Sequence, residues 1–175
     1  TINILGALNL LKCTQKYNIK KFIFASSGGT IYGECNKIPP KENSKTNPAS
    51  PYGIAKLAVE YYMKFYTETY GIKTISLRYS NVYGPRQDPF GEAGVVAIFS
   101  QRMLSNDDVF IFGDGNQLRD YVYIDDVVKS NLIALNYENS IVLNIGTGKA
   151  TSVNELFNIM KQITDYSKNP IYKPT

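Results

Sequence analysis

Residues 21–29 read Lys-Phe-Ile-Phe-Ala-Ser-Ser-Gly-Gly, a short apolar run that ends in small residues. Continuous apolar runs of this length are typical of strands in a parallel sheet that are buried on both faces. The run therefore predicts a buried strand over residues 21–25. Ser26 to Gly29 follow it directly, and small residues let backbone or a ligand approach closely.

The same alternation of strand and helix continues along the chain on both sides of this stretch. Apolar spacing and capping residues predict five helices, at residues 4–17, 51–70, 94–104, 125–137 and from 153 onward. Further strands are predicted at residues 74–79, 109–112 and 142–145. Ser50, Asp125 and Ser152 are the expected N-caps, and Gly71 is the expected stop of the second helix. Alternating elements indicate an α/β fold with a mostly parallel sheet.

Composition excludes several classes of protein. The 175 residues contain no histidine, which rules out Ser-His-Asp hydrolases, papain-like proteases and His-ligated metal enzymes within this chain. The net charge of +4 is mixed along the sequence and does not favour nucleic acid. No run of apolar residues is long enough to span a membrane, so no membrane partner is expected. Two cysteines, Cys13 and Cys35, make neither a disulfide framework nor a metal site, which fits a cytoplasmic protein.

Tyr52 and Lys56 are the first candidates for chemistry. They stand one turn apart at the start of a predicted helix, where such side chains share a face about 5–6 Å apart at Cβ. A cation there stabilises the phenolate, but forming it at neutral pH needs roughly 4 kcal/mol, more than one surface lysine supplies. The spacing is weak evidence alone, since it also occurs at Tyr17 and Lys21. A surface tyrosine beside a surface lysine is the alternative.

Other segments also contain candidate functional residues. The hydroxyls of residues 26–30 follow a strand, and ligands bind at the carboxyl ends of strands in open α/β sheets. Residues 113–115 and 146–148 read Gly-x-Gly but complete no phosphate-binding motif, so both are predicted to be turns. Arg119 has a guanidinium that suits phosphate, with a salt-bridged arginine as the alternative. The aromatic residues from Tyr61 to Tyr70 indicate core and a helix–helix contact.

Five motifs in order along the chain carry a resemblance to a known family. They are residues 22–33 (Phe-Ile-Phe-Ala-Ser-Ser-Gly-Gly-Thr-Ile-Tyr-Gly), 50–56 (Ser-Pro-Tyr-Gly-Ile-Ala-Lys), 77–86 (Leu-Arg-Tyr-Ser-Asn-Val-Tyr-Gly-Pro-Arg), 113–122 (Gly-Asp-Gly, then Arg-Asp-Tyr-Val) and 144–148 (Asn-Ile-Gly-Thr-Gly). Together the motifs resemble the NAD-dependent epimerase/dehydratase family, the extended short-chain dehydrogenases that act on nucleotide sugars. The order of the motifs makes the resemblance specific.

The resemblance implies a role for each matching position. Tyr52 resembles the catalytic base, Lys56 its partner and Ser27 the catalytic hydroxyl, with Thr30 as the alternative to Ser27. The positions implied to bind NAD are Asn3, Ser27, Tyr52, Lys56, Tyr79 and Ser80. Those implied to bind the nucleotide sugar are Asn81, Phe110, Phe112 and Arg119. No metal is implied.

The implied activity is that of a nucleotide-sugar 4-epimerase of the UDP-glucose/UDP-galactose type, acting by transient oxidation at C4. A 4,6-dehydratase is the rival, but the Asp-Glu pair that it requires is replaced here, where Gly28, Gly29 and Thr30 stand. A reductase of the same family, a non-catalytic nucleotide-sugar binder and a structural fragment that self-associates through an exposed sheet edge stay open.

The resemblance also implies a partial Rossmann-like doubly wound parallel sheet with part of a smaller C-terminal substrate-binding lobe. Residues 1–84 match the C-terminal half of the NAD-binding domain with its catalytic helix. Residues 85–175 match a mixed segment that contributes to the nucleotide-sugar lobe and returns to the sheet. The family's glycine-rich turn is absent from these 175 residues. We therefore expect an N-terminally truncated fragment that is inactive alone, from a homodimer that pairs through helices near Leu8 and Tyr61.

Overall fold

The computed structural model describes residues 2–35, 38–90 and 94–174. A π-helical turn, Ile2–Gly6, precedes the helices, which are α1 (Ala7–Lys16), α2 (Gly28–Ile31), α3 (Pro51–Tyr70), α4 (Val95–Leu104), α5 (Ile124–Asn136) and α6 (Val153–Ile163). The strands are β1 (Lys21–Ser27), β2 (Lys73–Tyr79), β3 (Asn81–Tyr83), β4 (Phe110–Phe112), β5 (Leu118–Arg119), β6 (Tyr121–Tyr123), β7 (Ile141–Ile145), β8 (Thr151–Ser152) and β9 (Ile171–Lys173).

The chain forms two compact units. The first unit is Thr1–Ser80 with Asp125–Ile145, and the second is Asn81–Ile124 with Gly146–Thr175. The chain therefore leaves the first unit after β2 and returns to it with α5 and β7. Within the described residues, no helix is both long and apolar enough to cross a membrane.

The first unit is built on a parallel sheet with the strand order β1-β2-β7. Its register brings Ser27, Tyr79 and Ile145 side by side at the carboxyl ends of the three strands. The predicted strands and their parallel arrangement are confirmed. The carboxyl edge is consequently formed by the segments that the sequence singled out for their polar residues.

The prediction that β1 is buried on both faces is wrong. Residues 21–24 are only half-buried and Ala25 is exposed, whereas residues 74–78 of β2 are all buried. The reason is the position of each strand in the sheet. Among the described residues, β2 pairs on both sides and β1 pairs only with β2.

Helices cover both faces of this sheet. On one side α1 and α3 form a core of Ala7, Leu11, Val59, Met63, Tyr66 and Ile72. On the other side Ala134 of α5 packs with Ile75 and Leu77 of β2. Burial of these side chains contributes about 25 cal/mol for each Å² of apolar surface, so this packing fixes α3 against the sheet.

The predicted helix signals are confirmed at α3 and α6. Ser50 Oγ accepts a hydrogen bond from Gly53 N–H at 3.1 Å, and Gly71 ends α3 in the left-handed region with φ of 68°. Ser152 Oγ accepts from Glu155 N–H at 3.1 Å at the start of α6. The N-cap prediction for Asp125 is wrong, because α5 begins at Ile124 and places Asp125 in its first turn.

Within its described residues, the second unit contains three two-stranded pairings. Strand β3 pairs with β6 and β4 with β9 in parallel, while β5 pairs with β8 in antiparallel orientation. Helices α4 and α6 close a core of Phe99, Met103, Val109, Ile111, Val153, Phe157, Met160 and Tyr166. Only β4 was expected here, because it lies in an apolar run at residues 109–112; the other strands of two or three residues carry too little periodicity to be predicted.

Candidate functional site

Tyr52 and Lys56 lie on the first two turns of α3. Lys56 Nζ is 5.5 Å from the centroid of the Tyr52 ring and 4.8 Å from that of Phe24. The ammonium also donates a hydrogen bond of 2.9 Å to the carbonyl oxygen of Ala25, near the end of β1. Burial lowers the pKa of Lys56, whereas Tyr52 is 47% exposed. The predicted pair therefore exists, with a half-buried cation beside an accessible phenol.

The candidate hydroxyls lie next to this helix. Ser27 is the last residue of β1 and the N-cap of α2, and it makes no capping hydrogen bond. Thr30 lies in α2, and its Oγ1 is buried without a hydrogen-bond partner. Among the described residues, no hydrogen bond joins the Tyr52 hydroxyl to either side chain. Within the part of the chain that the structure describes, the Thr30 hydroxyl thus has no hydrogen-bond partner and the Ser27 hydroxyl caps no helix.

Gly53 explains how closely α2 and α3 approach. A Cβ at position 53 would lie 2.7 Å from the carbonyl oxygen of Thr30 and 3.0 Å from Cβ of Pro48. Real Cβ atoms do not approach a backbone oxygen so closely, so position 53 accommodates only glycine while α3 keeps this distance from Thr30. The close contact places the helical turn with Tyr52 directly beside the segment with Thr30.

Tyr79 and Ser80 end β2 in the same unit. The Tyr79 hydroxyl accepts a hydrogen bond of 2.7 Å from Asn131, and burial raises the pKa of Tyr79. Ser80 Oγ is buried without a partner. A buried, unpartnered hydroxyl costs free energy unless a ligand satisfies it, so Ser80 indicates a binding site at this edge. Asn3 is exposed in the π-helical turn that packs against α3.

The remaining predicted residues lie in the second unit. The backbone N–H of Asn81 donates a hydrogen bond of 2.9 Å to the carbonyl oxygen of Asp120, the residue that follows Arg119. Arg119 is exposed, and its Nη1 donates 2.7 Å to the carbonyl oxygen of Leu118. Phe110 and Phe112 share one face of β4, opposite the buried Ile111.

The two Gly-x-Gly segments are turns, as predicted. The Asp120 carboxylate accepts the backbone N–H groups of Thr147 and Gly148 at 3.0 and 2.8 Å. At the other turn, the Asp114 carboxylate accepts the backbone N–H of Asn116 at 2.9 Å. Because the Asp120 carboxylate already accepts the N–H groups of Thr147 and Gly148, residues 146–148 do not offer these two donors to a phosphate.

Sequence reasoning missed one group of residues in the first unit. Arg78 and Glu60 form a buried ion pair between β2 and α3, in contact with Ser26 and Tyr32. A signal was available, because an arginine inside the apolar strand at residues 74–79 requires a buried partner. The partner could not be identified from the sequence, since Glu60 lies on another element.

The sequence profile of the NAD dependent epimerase/dehydratase family matches residues 1–146. UDP-glucose 4-epimerase from Mycolicibacterium smegmatis is 39% identical over 175 residues, a match that covers 99% of this chain and 56% of that protein.

Two crystal structures have the same fold as this chain. UDP-glucose 4-epimerase from Thermotoga maritima, solved with UDP-glucose, superposes with a TM-score of 0.97 at 56% identity and covers 98% of this chain and 56% of its own. The UDP-glucose 4-epimerase of Thermus thermophilus, solved with NAD, superposes with a TM-score of 0.91 at 41% identity. This match covers 99% of this chain and 57% of the Thermus thermophilus chain. The chain therefore spans just over half the length of the relatives it matches, and the Rossmann-like α/β fold class is confirmed.

Proposed function

The chain belongs to the NAD-dependent epimerase/dehydratase family, and from this premise we propose that the whole protein is a nucleotide-sugar 4-epimerase of the UDP-glucose/UDP-galactose type. The observation that carries the proposal is the placement of Lys56 Nζ 5.5 Å from the Tyr52 ring, at the carboxyl edge of a parallel sheet. This is the arrangement that proton abstraction from a sugar alcohol requires.

Tyr52 acts as the general base in this proposal. Its exposed phenolate oxygen takes the proton of the sugar 4-hydroxyl and the resulting phenol later returns it, directly or through Ser27 or Thr30. The half-buried Lys56 favours the phenolate, because a positive charge in a poorly solvated position interacts strongly with a neighbouring anion. When bound, NAD supplies the hydride acceptor and donor at C4. The chain's own residues hold and move the proton.

The residues of the first unit fit a nicotinamide cofactor. Lys56 uses one of its three N–H donors on Ala25 and keeps two for a ribose. The unpartnered Ser80 hydroxyl, together with Asn3, Ser27 and Tyr79, provides further polar groups on this unit. The 175 residues lack a glycine-rich pyrophosphate turn, so we propose that this segment alone is inactive. Titration calorimetry of the segment should show no low-micromolar binding of NAD, and such binding would contradict this.

The nucleotide sugar is assigned to side chains of the second unit. Arg119 is exposed, and its guanidinium fork matches the oxygens of a diphosphate. Asn81 adds an amide, while Phe110 and Phe112 offer apolar surface of the kind on which a base packs. A UDP-hexose is the substrate we propose. We also propose that residues 1–84 carry the cofactor half and that residues 85–175 contribute the nucleotide-sugar lobe.

The protein is proposed to act as a cytoplasmic homodimer. Residues of helices α1 and α3 line a largely apolar surface depression, which we call the aromatic patch: Leu8, Lys12, Tyr61, Tyr62, Phe65 and Tyr66. Three of its aromatic residues are 42–63% exposed, at Tyr61, Tyr62 and Phe65. A contiguous apolar surface of this kind marks a protein contact.

Product analysis tests the proposed activity. The full-length protein is incubated with UDP-galactose and NAD, and the products are separated by chromatography. We expect UDP-glucose to form with no net change in NADH. A 4-keto-6-deoxy product would instead indicate a dehydratase, and stoichiometric consumption of NADPH a reductase. Ligand binding without conversion would indicate a non-catalytic binder. Any of these three results contradicts the proposal.

A further inference from the structure

Arg78 and Glu60 form a bidentate ion pair in the interior of the first unit. Arg78 Nε donates 3.0 Å to Glu60 Oε1, and Arg78 Nη2 donates 2.6 Å to Glu60 Oε2. Both side chains are only 6% exposed. Burial works against the charged guanidinium, but the hydrogen bonds and charge of Glu60 outweigh it and raise the pKa of Arg78. The pair is therefore charged and geometrically fixed.

Hydrogen bonds extend the pair to three further elements. Ser26 of β1 donates its hydroxyl to Glu60 Oε1 at 2.6 Å. Arg78 Nη1 donates to the Tyr32 hydroxyl at 2.7 Å, and that hydroxyl donates to Asn144 Oδ1 of β7, also at 2.7 Å. These five side chains form a continuous network, which we call the Arg78 network.

The Arg78 network borders the segments of the first unit that carry Ser27, Thr30, Tyr52, Lys56 and Tyr79. Each of four members lies within one helical turn of a proposed site residue along the chain: Ser26 before Ser27, Tyr32 after Thr30, Glu60 after Lys56, and Arg78 before Tyr79. Ser26, Tyr32, Glu60 and Arg78 are buried, so none of these four is required to touch a ligand. The network acts on the site through the backbone that it holds.

Stability alone is a weak explanation for such a pair. Desolvating two charges is costly, and well-packed apolar residues of similar volume often give equal or greater stability. What an ion pair provides that apolar residues do not is one fixed geometry with directional contacts. Here that geometry joins the helix with Tyr52 and Lys56 to the strand with Ser27 and to the strand with Tyr79.

We propose that the Arg78–Glu60 pair is a positioning device, which holds α3, β1 and β2 in the alignment that places Tyr52 and Lys56 against the hydroxyls of Ser27 and Thr30. The inference rests on the proposed function, because it assigns the pair to the alignment of that site. It predicts that removing both charges together leaves the fold intact and impairs turnover.

The test is the double variant Glu60→Leu with Arg78→Met in the full-length protein. Melting should stay close to that of the wild type, since neither charge is left unpaired. We expect kcat for UDP-galactose to fall roughly 100-fold, the scale of an ångström misplacement of catalytic groups, with KM nearly unchanged. A kcat equal to that of the wild type would overturn the proposal. A loss of kcat/KM that is due entirely to a higher KM would also overturn the proposal.

Two further variants complete the experiment. Lys64→Met with Glu68→Leu removes an exposed ion pair of the same helix and should leave kcat unchanged. Should the double variant not fold, Arg78→Lys decides, because it keeps the buried positive charge and removes the bidentate contact with Glu60. A lower kcat at unchanged KM supports the proposal, and an unchanged kcat overturns it. If Tyr52→Phe keeps its turnover, the proposed function itself fails.

Discussion

At the scale of single residues, the site depends on the different solvent exposure of Tyr52 and Lys56. Tyr52 is 47% exposed, whereas burial lowers the pKa of Lys56 by disfavouring its charge. A poorly solvated cation gains more from a nearby phenolate than a fully hydrated one does, because the local dielectric constant is lower. The hydrogen bond to Ala25 holds the ammonium in place, so the phenol can meet a substrate while its cation stays fixed.

Glu42 provides a residue-scale prediction about pH. Its carboxylate accepts the backbone N–H of Asn144 at 2.9 Å, and this bond, its own backbone N–H and the charge of Arg78 lower the pKa of Glu42 from its usual 4.5. The resulting stabilisation is complete above pH 4.5 and is lost as the pH falls through the folded-state pKa. The Glu42→Gln variant should therefore lose less of its free energy of unfolding on acidification than the wild type does. We expect a difference of about 0.5 kcal/mol, a small value because Glu42 is exposed.

Chemical denaturation of both proteins at a series of pH values from neutral to acidic measures this difference. Glu34→Gln, which removes the charge of another exposed carboxylate, is the matched control for the change in net charge. Identical pH dependence in the wild type and Glu42→Gln would show that the Asn144 contact has no effect on stability.

At the scale of elements, the approach of α3 to α2 decides where Tyr52 stands. Gly53→Ala introduces a Cβ 2.7 Å from the Thr30 carbonyl oxygen, so the first turn of α3 must move. We expect kcat to fall roughly 10- to 100-fold, because a shift of about 1 Å misaligns the base and the hydroxyls.

Steady-state kinetics of the full-length variant measures this loss. Gly6→Ala is the matched control, since a Cβ at position 6 meets nothing within 4 Å and should leave kcat unchanged. Wild-type kcat in Gly53→Ala would mean that the contact between α2 and α3 has no part in catalysis.

An element can be predicted from the sequence when the residues that determine it lie close together along the chain. Ser50, Pro51 and Gly71 determine the ends of α3 within a few residues, so both ends were predicted correctly. The burial of β1 was not, because it depends on how many strands pair with it. Likewise the contact of Arg78 with Glu60 joins a strand to a helix, and no local pattern in the sequence names the partner.

The site also combines features that are determined locally in the sequence with features that depend on contacts between elements. The motif around Tyr52 and Lys56 lies on one helix, where periodicity alone sets the relative position of the two side chains. By contrast, the unpartnered hydroxyls of Thr30 and Ser80 could be found only from the packing of neighbouring elements. Family resemblance pointed to Ser80 without giving this physical reason.

At the scale of the whole molecule, the aromatic patch predicts the oligomeric state. Phe65 is 50% exposed at its centre, and a carboxylate there would have to be desolvated in a dimer. Phe65→Glu should weaken dimerisation by about 2 kcal/mol or more, roughly 30-fold in the dissociation constant.

Light scattering of the full-length protein over a range of concentrations measures the dissociation constant. The control is Ile163→Glu, because Ile163 is an apolar residue that is 77% exposed and lies on α6 outside the patch. A monomeric wild type, or a Phe65→Glu variant that dimerises as the wild type does, would refute the dimer assignment.

Turnover of the Tyr52→Phe variant of the full-length protein tests the account most directly. General-base catalysis contributes about 10²- to 10⁴-fold, so we predict a loss of kcat of this size with unchanged affinity for the nucleotide sugar. Tyr70→Phe, on the same helix and 49% exposed, should keep wild-type turnover. Wild-type kcat in Tyr52→Phe would contradict the assignment of Tyr52 as the base.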